Sequence, residues 1–210
     1  GIGHTRFKQT EIGEIPEDGE VYELNDLAYE VRDRWEPGDN DDLAYIGLEH
    51  IDQGSGYLLS TDEPSGLSSA KTYFDENDVL FGKLRPNLHK VALASFSGIC
   101  STDIMAIRTR DNSHAMPEFL YYKLLTQDAY NFAVQTASGT KMPRTSWKLL
   151  SRFRVGLPSI EEQKFTTGFL ESINKTLKSD EKKLEQLNQI KQGLMADLLS
   201  GRVRVTPDDQ

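Results

Sequence analysis

Residues 159–201 read SIEEQKFTTGFLESINKTLKSDEKKLEQLNQIKQGLMADLLSG, and this stretch decides the architecture. Ser159 is a helix-capping residue with Glu162 three positions on, the spacing at which the two can cap each other reciprocally. No proline interrupts Ile160 to Ser200, and Gly201 supplies a stop. Leu170, Ile173, Leu177, Leu184, Leu187, Leu194 and Leu198 recur at alternating steps of three and four, with Asp180 and Lys191 in the two missing slots. That is a heptad seam with two polar breaks, and with Ile190 these side chains form the expected dimerisation face. A helix of this span is roughly 60 Å long, whereas a body of about 150 residues is only about 40 Å across. The expectation is a protruding rod whose apolar stripe needs a partner helix, from a second copy or from another subunit. The alternative is a helix that bends at Gly168 or Gly193 and folds back on its own body.

N-terminal to the helix, the β-rich core of the chain is DVLFGK at 78–83, KVALA at 90–94 and IMAI at 104–107, short apolar runs separated by turn residues. Two helices are expected after them, one opening at Pro117 and running to Leu125, the other over Asp128–Gln135. Working outward, TASGTKMPR at 136–144 reads as a loop, Trp147–Leu150 as a turn of helix and Phe153–Pro158 as a closing strand. Before the core, Val21–Val31 reads as a strand into a short helix, Arg34–Asp42 as a loop, Leu43–Ile51 as a short strand and Asp52–Gly66 as a loop. Residues 1–20 lack periodicity and read as an extended arm. The fold class expected is therefore α+β, with a mixed or antiparallel sheet and helices in a body over 21–158. The arm 1–20 precedes it, and the helix 159–201 and a tail 202–210 follow it.

The 210 residues carry 24 Lys and Arg against 33 Asp and Glu, a net charge of −9. The sum hides an asymmetry: residues 1–65 hold 4 basic against 17 acidic side chains, 66–158 hold 12 against 7, and 159–210 hold 8 against 9. A polyanion would be drawn to the middle segment and repelled by the first third; the plainer reading of so modest a surplus is a solvated surface. No apolar run approaches the ~20 residues of a membrane helix, and no signal peptide is visible, so a cytoplasmic protein is expected. The lone Cys100 excludes an internal disulfide, and His4, His50, His89 and His114 are scattered without metal-ligand spacing.

Catalytic constellations are missing. Asn77–Leu84 ends on a Gly-Lys pair like that of a phosphate loop, but its first glycine is replaced by Asn77 and its hydroxyl residue by Leu84. No amino-methyltransferase Pro-Pro motif occurs. Glu162-Gln163-Lys164 has the acid-x-Lys spacing of some nucleases, yet it sits in a helix's first turn, where acids match the dipole. Ser138-Gly139-Thr140 has no histidine nearby, and Cys100 reads as a small core residue rather than a nucleophile.

Several segments together carry a resemblance: FKQTEIGEIPEDGEV, YIGLEHID, DVLFGKLRPNLHKVALASFSGICSTDI, ASGTKMPR, and LPSIEEQ leading into IKQGLMADLLSGRVRV. In these the chain resembles, along nearly its whole length, the specificity subunit of type I restriction-modification systems. The resemblance implies a target recognition domain over 21–158 that reads double-stranded DNA, and a long helix that packs antiparallel against a counterpart. It implies partners too: methyltransferase subunits using S-adenosylmethionine, and restriction subunits using ATP and Mg²⁺. This chain would itself carry no cofactor, no metal and no catalytic residue. Full-size members have two recognition domains and two helices and this chain one of each, which is the size of a half subunit or of a carboxyl half. Gly19 stands where the family often has Trp, which removes an aromatic anchor from the arm.

The candidate DNA-binding residues follow from the basic segment. Lys83, Arg85, Thr140, Lys141 and Arg144 are expected on phosphates, which set affinity and register without carrying sequence information. Asn87, His89, Lys90, Ser101, Thr102, Ser138, Gly139, Thr145 and Lys148 complete the set, with base-edge donors sought in the loops 52–69 and 136–145 and at Ser101 and Thr102. Two further readings compete: a coiled-coil scaffold with no direct DNA role, and, more remotely, a stand-alone nuclease or methyltransferase.

Overall fold

The computed structural model describes residues 5–39, 42–111, 113–201 and 203. The chain divides into two units, residues 1–165 and 166–210.

In the first unit, Phe7–Thr10 (β1) and Gly13–Pro16 (β2) pair antiparallel, with Thr10 opposite Gly13. The arm expected to be merely extended is thus a hairpin. Its turn works because Gly13 adopts φ 101°, a conformation closed to most side chains. β1 is largely exposed and β2 half-buried, so no clear apolar alternation marks them in the sequence. Glu20–Glu23 (β3) runs into the single helical turn Leu24–Leu27 (α1) and the strand Ala28–Glu30 (β4).

Two four-stranded sheets build the core. One orders β4, Ile104–Thr109 (β11), Val79–Gly82 (β8) and Val91–Leu93 (β9), all antiparallel. The other orders Arg34–Trp35 (β5), Lys71–Phe74 (β7), Gly98–Cys100 (β10) and Ala44–Ile46 (β6), with β10 and β6 parallel. Successive side chains on a strand point to opposite faces, and the first sheet buries both. Val79, Phe81, Val91, Met105 and Ile107 join one apolar cluster, while Leu80, Ala92, Ile104 and Ala106 join another with Ile46, Phe74 and Cys100. Burial on both faces explains why these strands read as unbroken apolar runs. It also makes Cys100 inert: enclosure in apolar surroundings pushes its thiol up to about 12.

Strands β5, β7 and β10 are absent from the sequence reading. Arg34–Trp35 lies inside what reads as a loop, and the three buried residues of Gly98–Cys100 are too short a run to show a period. Their place in the sheet is set by neighbours distant in the chain. The helices Pro117–Leu124 (α2) and Gln127–Thr136 (α3) cover the first cluster with Phe119, Leu120, Leu124, Ala129 and Ala133. The turn Trp147–Leu150 (α4) then leads into Arg154–Leu157 (β12), which pairs antiparallel with β3 and so ties the end of the body to its beginning.

The last helix, α5, runs from Ile160 to Leu199. The reciprocal cap is present: Glu162 N–H donates to Ser159 Oγ at 3.4 Å, and Ser159 N–H donates to Glu162 Oε2 at 3.2 Å. Within the first unit, Gln163 is fully buried. Its Oε1 accepts from Met116 N–H at 2.8 Å, and its Nε2 donates to the carbonyls of His114 and Pro158, both at 2.9 Å. The first turn of the helix is therefore built into the body, with Glu162 in its cap and Gln163 as the anchor. In the second unit the helix continues unbroken through Gly168 and Gly193, and Gly201 ends it at φ 72° with its N–H donating to Leu198 O. Of the seam, Leu170 is half-buried, whereas Leu177, Leu184, Leu187, Ile190 and Leu194 are each more than half exposed.

Candidate nucleic-acid interface

Main-chain bonds draw the two basic loops into one surface. Leu84 and Arg144 form an antiparallel bridge, Arg85 N–H donates to Pro143 O at 2.8 Å, and Thr145 N–H donates to Lys83 O at 3.0 Å. Lys83 N–H in turn donates to Asp103 O at 2.9 Å, which brings in the turn between β10 and β11 that holds Ser101 and Thr102. Ser138 and Arg144 exchange a pair of 2.9 Å bonds that closes residues 138–144 into a compact loop. Gly139 sits in it at φ 101°, where any Cβ would lie 3.3 Å from Met142 O. The tip residues Ser138, Thr140 and Lys141 are exposed, as are Arg85, Asn87, Thr102 and Lys148. Among the described residues, Lys83, Arg85, Lys141 and Lys148 make no ion pair, so their charge is available to a polyanion.

Four members of the expected set are engaged otherwise. His89 turns inward, its Nε2 3.2 Å from Leu124 O and its ring edge-on to Tyr130. Lys90 Nζ donates to Leu48 O at 2.7 Å. Ser101 is half-buried, and its Oγ accepts from Asp103 N–H at 3.2 Å. Thr145 is only 3% exposed, and its Oγ1 is buried with no hydrogen-bond partner. One residue the sequence reading missed is Asp103, whose Oδ1 pairs with Arg144 Nη2 at 2.8 Å. An acid at the turn of an otherwise basic segment was the available signal. It holds the Arg144 guanidinium in place and offsets part of its charge.

A second cluster is visible only in space. Glu49, His50 and Asp62 bring ligand-type atoms within 4.8 Å of one another. The His50 ring is already committed: Nδ1 accepts from Gly47 N–H at 3.0 Å, which leaves the proton on Nε2, 3.4 Å from Asp62 Oδ2. That tautomer offers no lone pair to a cation, and the ring acts as a strut between two loops.

Residues 6–189 match the sequence profile described as type I restriction modification DNA specificity domain. The chain belongs to that family. Among the relatives of this specificity domain is the type I restriction enzyme EcoDI specificity subunit of Escherichia coli, 26% identical over 206 residues, covering 94% of this chain and 45% of that one. Another is the type I restriction enzyme MjaVIII specificity subunit of Methanocaldococcus jannaschii, 24% identical, covering 96% and 50%. The specificity domain here spans about half the length of the curated relatives it matches. Its fold is similar to that in the crystal structure of the HsdS subunit from Thermoanaerobacter tengcongensis, with a TM-score of 0.66 at 21% identity, covering 93% of this chain and 52% of that one. The role that defines the family is DNA sequence specificity. No helix among the described residues is long and apolar enough to cross a membrane.

Proposed function

We propose that this specificity domain binds one half of a bipartite target in double-stranded DNA and does no catalysis of its own. Residues 21–158 read the half-site. Lys83, Arg85, Thr140, Lys141, Lys148 and, in part, Arg144 hold phosphates, while the exposed Asn87, Thr102 and Ser138 are the donors available to base edges. Antiparallel pairing of the α5 seams of two copies holds two reading bodies at a fixed separation. The assembly then positions methyltransferase subunits, which use S-adenosylmethionine, and restriction subunits, which use ATP and Mg²⁺, in the cytoplasm.

The observation that carries this reading is the joining of two sequence-distant basic loops into one exposed patch by main-chain bonds, in a chain whose family is a DNA specificity domain. Electrophoretic shift of labelled duplexes with and without the methyltransferase subunit tests it. Retention of DNA that depends on this chain is expected in at least one of the two; no retention in either supports a scaffold built on the helix instead.

A further inference from the structure

A groove of about 940 Å³ opens in the first unit between the β1–β2 hairpin, strand β12 and helices α2 and α3. Ile12, Ile15, Phe119, Phe132 and Phe153 give it an apolar lining. Six carboxylates surround them, among them Glu14, Asp128 and Glu162, against only Lys123 and Arg154. Arg154 is already spent on Glu11 at 3.0 Å and Glu23 at 3.3 Å. Glu14 and Asp128 make no ion pair among the described residues. Such a surface calls for an occupant that alternates branched aliphatic and cationic side chains.

The chain contains one such segment. Arg202-Val203-Arg204-Val205 follows the helix stop at Gly201, with cationic and branched aliphatic residues at alternate positions of the sequence. We propose that the groove receives the Arg202–Val205 segment of a second copy of this chain, the valines against its apolar lining and the arginines against its carboxylates. The proposal rests on the antiparallel pairing put forward above. Helical residues equidistant from the pairing centre face each other, so pairing about Leu184, the middle of the seam, sets the helix stop at Gly201 of one copy level with Thr167 of the other. Glu162 and Ser159, one to two turns earlier in the helix, line the groove, so the segment leaves its own helix near where the partner's groove begins. The dimer is then clasped at both ends as well as zipped along the seam.

Sedimentation equilibrium of the full chain tests this. The double variant Arg202→Glu/Arg204→Glu is expected to raise the dimer dissociation constant by about tenfold or more, since charges facing like charges at an interface weaken it substantially. Adding Glu14→Lys/Asp128→Lys to it should restore most of the loss, which a general effect of charge on folding would not do. A wild-type dimerisation constant in the arginine variant overturns the docking while leaving the antiparallel seam intact. A wild type that stays monomeric at all concentrations overturns seam and docking together.

Discussion

Lys141 and Arg144 occupy the same basic loop, but their surroundings differ. The Lys141 ammonium is exposed without an ion pair among the described residues, whereas the Arg144 guanidinium rests on Asp103 at 2.8 Å. Removing one cation from a phosphate lowers the slope of log affinity against log salt by about 0.9. Lys141→Ala is therefore expected to cut the slope by close to that amount on matched and unmatched duplexes alike, and Arg144→Ala by less; salt titrations of duplex binding read both. An unchanged slope in Lys141→Ala removes it from the phosphate set. Gln163 bears on stability instead. Its side chain satisfies one main-chain N–H and two carbonyls in the interior, and orphaned buried polar groups cost about 1–3 kcal/mol each. Gln163→Ala should lower the thermal midpoint of the body by several degrees in scanning calorimetry, and an unmoved midpoint removes it as an anchor.

At the scale of elements, the proposed pairing rests on α5. Leu184 and Leu187 are 60% and 63% exposed, an apolar surface that pairing would cover. Leu184→Asp/Leu187→Asp buries unpaired charge in that seam at a cost of several kcal/mol. Light scattering should then report a monomer while the near-ultraviolet circular dichroism of the body is unchanged; a dimer of unaltered mass places the interface elsewhere. If the helix also acts as a ruler, one heptad inserted between Lys178 and Ser179 keeps the three-four pattern and lengthens it by about 10.5 Å. The gap in the target should then widen by roughly three base pairs at ~3.4 Å each. Affinity should fall somewhat, because three pairs also rotate the half-site by about 100°. An active complex with an unwidened gap excludes the ruler. The helix was legible from Ser159 to Gly201 because cap, period and stop are all local signals, and β8, β9 and β11 were legible because their apolar runs are continuous. The hairpin β1–β2 and the strands β5, β7 and β10 were not, since two to four residues carry no period and their pairing is fixed by distant neighbours. The site followed the same division. Its basic loops could be read from charge, while the inward turn of His89 and Lys90, the burial of Thr145 and the Asp103–Arg144 pair depend on how those loops pack.

Over the whole molecule, the acidic and basic residues are segregated along the sequence. The first 65 residues carry 17 acids against 4 bases, and the segment with the basic patch reverses the balance at 12 bases against 7 acids. Two copies related by a two-fold axis present two such patches in opposite orientations, and the symmetry of a dimeric reader is mirrored in its site. Mapping methylated bases in genomic DNA modified by the complex of this chain with its methyltransferase subunit is the most direct test of whether this chain reads each half of a divided target. Methylation confined to an interrupted inverted repeat with a gap of constant width, lost when the chain is omitted, is the expected result. Methylation that is unchanged without the chain, or that falls on a continuous site with no gap, contradicts it.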